Sequence, residues 1–289
     1  MRFLKFKKSF ILFCLFFYLS PNVSFAYADH SCALSNGMVD EADVCAAKPI
    51  SHFVYFTRIA LCKESPGSPA PKLNLSSCLT IFESEYSSGF RTLVDSTPDS
   101  SPTILTGKPL PPFTEKDYGD YFYGYVEISP IMEASAVISF TSPRFNANKT
   151  SSGTACWSLT GTMMSVGSED ILTQCGNLAD ASPGLTTSII NSLGGPGILV
   201  ERQFTSSKGD LIQAYLLNSS DTIASPSSGN LNDVSKVIGY LPQKITLTAT
   251  TKQILIHYNN YQGVEVTQHP DGSIQHFAPG PFDIFITAQ

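Results

Sequence analysis

Six cysteines follow residue 28, and their order along the chain constrains the fold more than any other feature. Cys32 and Cys45, Cys62 and Cys78, and Cys156 and Cys175 form three sequential pairs, 13, 16 and 19 residues apart. None of these spacings is the short Cys-x-x-Cys of zinc or redox sites. An even set of cysteines in an exported chain reads as a disulfide framework, and six allow 15 connectivities. Their sequential order favours three local staples, each closing a loop worth roughly 3 kcal/mol in the chain-entropy model.

The framework depends on export, which the N-terminus supports. Arg2, Lys5, Lys7 and Lys8 precede an apolar run from Phe10 to Leu19, which Ser20-Pro21-Asn22 ends. Ser24-Phe25-Ala26-Tyr27-Ala28 then places small residues at the spacing a signal peptidase reads. Ten apolar residues fall well short of the about 20 that span a bilayer core. Residues 1–28 therefore read as a cleaved signal peptide and 29–289 as the mature chain, with no integral membrane segment after cleavage. Cys14 lies inside the apolar run and leaves with it. The expected location is secreted or extracytoplasmic, meaning the periplasm or cell surface if the host is bacterial.

Losing four basic residues and no acidic ones takes the net charge from −6 to −10. That charge argues against nucleic acid and anionic membrane surfaces as partners, since both call for a basic face. Charged residues make up 15% of the chain, against roughly 25% in a typical domain. Ser and Thr fill the surface in their place. The 42% hydrophobic content supplies a core, and 261 mature residues suffice for one large β domain or two small ones. The proline-rich stretch 95–112 is the candidate sub-division, or else a long surface connection.

Strand-like runs alternate with turn chemistry almost throughout. Residues 52–62 are rich in β-branched and aromatic side chains. A Pro/Gly/Ser loop then leads to Cys78-Leu79-Thr80-Ile81-Phe82-Glu83, so a 62–78 bridge would clasp a hairpin. Residues 117–129 read as a strand whose antiparallel partner, 135–141, follows a turn at Pro130. Two short helices are expected at 169–173 and 186–193, the second closed by Gly194-Gly195. Strands are expected again at 198–204, 211–217, 236–241, 244–250, 253–258, 263–268, 273–277 and 282–287. The pattern predicts an all-β fold, a disulfide-stapled antiparallel β-sandwich with one or two short helices.

Chemistry-bearing constellations are few. His257, His269 and His276 crowd the C-terminal part. Pro270-Asp271-Gly272 reads as a hairpin loop, which places His276 opposite Val266 and roughly 10 Å from His269 at about 3.3 Å per residue. No metal site and no cofactor is expected. Asp40-Glu41-Ala42-Asp43 reads as a solvated acidic loop or a weak calcium site. Around Ser165 the Gly-x-Ser-x-Gly elbow is incomplete, because Met163 stands in place of the first glycine. Asn74-Leu75-Ser76, Asn148-Lys149-Thr150 and Asn218-Ser219-Ser220 are glycosylation acceptors if the host is eukaryotic.

The densest aromatic stretch holds Tyr121, Tyr123 and Tyr125 on one strand face, with Phe122 and Val126 on the other. Such a row either stacks sugars or fills the half-buried face of a sandwich. The leading expectation is an exported structural or interaction protein, pairing with itself or another surface protein through a sheet edge such as 282–287. A carbohydrate-binding module or adhesin using the tyrosine row is the alternative, and a secreted hydrolase comes third.

Overall fold

The computed structural model describes residues 32, 34–35, 38–39, 44–94, 105, 107–164, 172–193, 198–206, 209–226, 233–260, 262–269, 271–280 and 282–289. Residues 1–28, expected to be a signal peptide, the acidic tetrapeptide 40–43, Ser165 and the proline-rich segment 95–104 lie outside the described residues.

Strands dominate the chain from end to end. β1 (Leu34–Ser35), β2 (Met38–Val39) and β3 (Val44–Ala47) precede the long β4 (Ser51–Cys62), followed by β5 (Cys78–Glu83) and β6 (Phe90–Leu93). The 17-residue β7 (Gly119–Ser135) leads through Ala136 into β8 (Val137–Asn146). Next come β9 (Ser152–Ser158), β10 (Gly161–Met164), β11 (Thr173–Gly176) and β12 (Thr186–Ile189). β13 (Glu201–Thr205), β14 (Leu211–Leu217) and β15 (Lys236–Leu247) follow. β16 (Ile254–Asn259), β17 (Val264–Gln268), β18 (Ser273–Pro279) and β19 (Asp283–Ala288) complete the order. Among the described residues the helical content is two 3-10 turns, Glu115–Asp117 and Leu178–Asp180.

Three sheets result. A nine-stranded sheet runs β10-β12-β7-β15-β14-β13, with β4 on the far side of β7 carrying β5 and β6. An eight-stranded sheet runs β1-β2-β8-β18-β17-β3, with β9 and β11 added to β8. β16 and β19 form a separate two-stranded ribbon. Pairing is antiparallel except at β10–β12, β18–β8 and β2–β8.

Alternation in the sequence decides which face is buried. Val54 and Phe56 of β4 enter the main core, and after a bulge around Thr57 so do Ile59 and Leu61. They meet Val126, Ile128 and Met132 of β7, Leu216 of β14, Val237 and Leu247 of β15, and Ile256, Ile284 and Ile286 of the ribbon. A second core gathers Ile138, Phe140, Val264, Val266, Ile274 and Phe277 around four of the cysteines. Ala134 and Ala136 belong to this second core, so the chain changes sheet at the junction of β7 and β8.

All three bridges join the sequential partners. The Cα separations are 4.7 Å for Cys32–Cys45, 3.9 Å for Cys62–Cys78 and 4.0 Å for Cys156–Cys175. Cys62 lies directly opposite Cys78 on β4 and β5, and Cys156 lies opposite Cys175 on β9 and β11. The 62–78 hairpin is therefore clasped as its spacing predicts.

Several local expectations are corrected. Pro130 makes no turn. It lies inside β7 where that edge changes partner, from β15 ending at Ile128 to β12 beginning at Ile131, so its missing N–H interrupts no ladder. β8 consequently pairs with β9 rather than folding back on β7. The helix expected at 186–193 is replaced by β12, because Thr186, Thr187 and Ile189 are β-branched and pair with Ala134, Glu133 and Ile131. Of the helix expected at 169–173, Thr173 opens β11 and residues 169–171 lie outside the described residues. Runs 236–241 and 244–250 merge into β15 through a bulge between Pro242 and Ile245. A bulge at Thr267/Gln268 likewise moves His276 opposite Thr267, one residue from the expected Val266.

Candidate interaction surface

The outer face of the nine-stranded sheet, turned away from the main core, collects the polar and aromatic groups of β4, β6 and β7. Phe53 and Tyr55 alternate with the core residues Val54 and Phe56, so β4 is apolar on both sides. Leu93 and Arg91 of β6 lie opposite Phe53 and Tyr55, and Glu133 of β7 lies opposite Phe53 from the other side. The Arg91 guanidinium sits 3.5 Å above the Phe53 ring centroid. Its Nε donates to Glu133 Oε2 at 3.0 Å, its Nη2 donates to the same oxygen, and Tyr55 OH donates to Glu133 Oε1 at 2.7 Å. Burial disfavours the charged guanidinium, but the Glu133 carboxylate outweighs it and holds Arg91 above its usual pKa. Burial, reinforced by Glu133, raises the Tyr55 phenol. Leu93 is 45% exposed at the rim and Ile50 57%. The result is an aromatic–arginine–carboxylate array with fixed geometry and an open apolar border.

Further along β7 the same face becomes covered. Glu127, almost buried, accepts Thr57 Oγ1 at 3.0 Å on Oε1 and Tyr125 OH at 3.0 Å on Oε2. Lys236 Nζ lies 3.5 Å from Glu127 Oε1 and 2.7 Å from Asp221 Oδ1. Burial opposes the Lys236 charge, yet the Asp221 and Glu127 carboxylates prevail and raise its pKa. Beyond this network, Ala60, Cys62, Tyr125, Tyr215 and Tyr240 form a small third core lidded by Leu73, Leu75 and Ile223. The Leu73 N–H donates to the Asp221 carbonyl at 3.3 Å, joining the two covering loops. Glu127 and Glu133 are six residues apart on one strand, roughly 20 Å at about 3.3 Å per residue. That exceeds the separation of a glycosidase carboxylate pair.

The tyrosine row does not form an open face. Tyr121 and Tyr125 are 2% and 0% exposed and only Tyr123 is half-buried, whereas Phe122 is 48% exposed. Nor do the three share one environment, since Tyr121 packs in the main core and Tyr125 in the lidded one. The β15 bulge opposite Tyr121–Tyr123 breaks the simple alternation. Tyr121 OH donates to the Asp117 carbonyl at 2.7 Å, and burial followed by Glu127 drives the Tyr125 phenol far above its usual pKa. These rings fill cores and are not presented for stacking.

The histidines are dispersed. His257 is exposed on the ribbon, within 3.0 Å of Thr287 Oγ1, while His276 belongs to the eight-stranded sheet and His269 follows β17 in the loop that leads to β18. Asn74, Asn148 and Asn218 each accept the backbone N–H two residues on, in turns at the surface. The Phe53–Arg91–Glu133 array escapes a reading of motifs because its members come from three strands. Its signal was the run His52-Phe53-Val54-Tyr55-Phe56, where both alternating sets carry aromatics. Compared with known proteins, the chain matches no family model, no curated protein and no solved structure. Among the described residues no helix is long and apolar enough to cross a membrane.

Proposed function

We propose that this is an exported structural or interaction protein that engages a protein partner on the open half of the outer face of its nine-stranded sheet. The observation that carries this reading is the Arg91 guanidinium held between the Phe53 ring and the Glu133 carboxylate beside exposed Leu93. Aromatic and arginine side chains dominate binding energy at interfaces. A group already fixed by neighbours loses little freedom on association. The three bridges support work outside the cell, in an oxidising compartment where disulfides persist.

The test is binding of the purified mature chain to the surface and secreted matrix of its own host cells, compared with a Phe53→Ser/Leu93→Ser variant. Phe53 is half-buried, stacked on Arg91 and paired with Leu93, so the thermal midpoint should fall modestly, while binding measured well below it should fall tenfold or more. Undiminished binding by a folded variant would refute the proposal. Binding abolished by free sugars would transfer the face to the glycan reading, with Phe53 and Tyr55 in place of the buried tyrosines.

A further inference from the structure

Building on the reading of a protein that works by presenting its sheets, we infer that β16 pairs edge to edge with β16 of a second copy. The β16–β19 ribbon would then become a four-stranded antiparallel sheet across a two-fold axis. Gln253 and Gln289 exchange both backbone hydrogen bonds, at 3.0 and 2.9 Å. Antiparallel alternation therefore turns the N–H and C=O groups of Ile254, Ile256 and Tyr258 away from β19. On β19 the corresponding outward groups of Ile286 are taken by the Gln243 carboxamide, which donates at 2.5 Å and accepts at 3.1 Å. On β16, among the described residues, no backbone or side-chain group takes the outward ones.

The sequence of this edge fits a copy of itself. From Gln253 to Gln262 no Asp, Glu, Lys or Arg occurs, and Ile254-Leu255-Ile256-His257-Tyr258 is rich in strand formers. Several other edges carry charges that discourage pairing, Glu201 and Arg202 on β13, Glu83 on β5 and Arg91 on β6, while the uncharged edges β3, β10 and β11 are only four residues long. Two acidic chains can meet at β16 without opposing like charges. An antiparallel pairing centred on Ile256 sets Ile256 against itself, Ile254 against Tyr258 and Leu255 against His257. All the outward groups of both copies are then satisfied.

Sedimentation of the mature chain across a concentration series tests this, with a dimer expected. Leu255→Lys with His257→Lys places lysines opposite lysines and should weaken the dimer tenfold or more. Both side chains lie on the opposite side of the ribbon from core residue Ile256, so the thermal midpoint should hold. Leu255→Glu with His257→Lys places opposite charges in the same register and should restore the dimer. A wild-type chain that stays monomeric, a lysine pair that still dimerises, or a Glu/Lys pair that fails to restore association overturns the inference. The two readings fail separately, because the lysine pair leaves the Phe53–Arg91 face intact and the Phe53→Ser/Leu93→Ser variant leaves β16 intact.

Discussion

His52 of β4 is fully buried, with neither ring nitrogen hydrogen-bonded among the described residues. The Phe282 ring stands edge-on to it at 5.8 Å, and Gly263 lies so close that a Cβ there would meet Nδ1 at 2.8 Å. Burial lowers its pKa from 6.5 to about 3. Between those values the unfolded chain binds a proton that the folded chain refuses. The contribution of His52 to stability is therefore complete above pH 6.5 and is lost as pH falls toward 3. Urea midpoints should drop by an amount equivalent to roughly 3 kcal/mol between pH 7 and 4 on this account alone. His276, lowered by burial to about 4, adds to the same acid limb. A folded His52→Leu variant should show a shallower limb, and an identical slope would sink this account. The burial of neither histidine is legible in the sequence, because it depends on which strand covers the imidazole.

Two of the bridges join paired strands, and the third ties Cys32 to β3. Cys62→Ser with Cys78→Ser unclasps two directly paired strands and should cost about 2–4 kcal/mol. Position along the chain alone would make the 32–45 bridge the lesser one, as terminal segments carry few contacts. Cys32 and Cys45 are instead 7% and 2% exposed within the second core, and the Cys32 N–H donates to the Ala46 carbonyl at 2.9 Å. Losing this pair should cost nearly as much, which parallel denaturant titrations of the two double mutants will show. Gln243 holds the ribbon to β15 by imitating a strand backbone at Ile286. Gln243→Ala should cost about 1–2 kcal/mol and speed hydrogen exchange at the Ile286 amide, which otherwise stays protected. The sequence made Cys62–Cys78 legible because the partners are close and flanked by strand signals. It misread 186–193 because the Thr186-Thr187-Ser188-Ile189-Ile190 pattern suits a helix end as well as a strand, and only the edge of β7 decides between them.

At the scale of the molecule, an all-β, stapled architecture was readable from alternation, turn residues and paired cysteines. Which strands share a sheet was not, since β7 meets β4, β12 and β15 over separations that no local pattern encodes. The candidate surface was hidden for the same reason: Phe53, Arg91 and Glu133 become neighbours only once β6, β4 and β7 lie side by side. The ribbon has a further consequence if the protein is held under tension. A pull on Gln289 loads the open end of β19, whose bonds to β16 give way one pair at a time, as a zipper does. β7, bonded along both edges, resists by shear and yields last. Each cystine withholds its own loop from the contour length, so the chain would lengthen in steps, peeling first at its C-terminal end while the broad sheet stays closed.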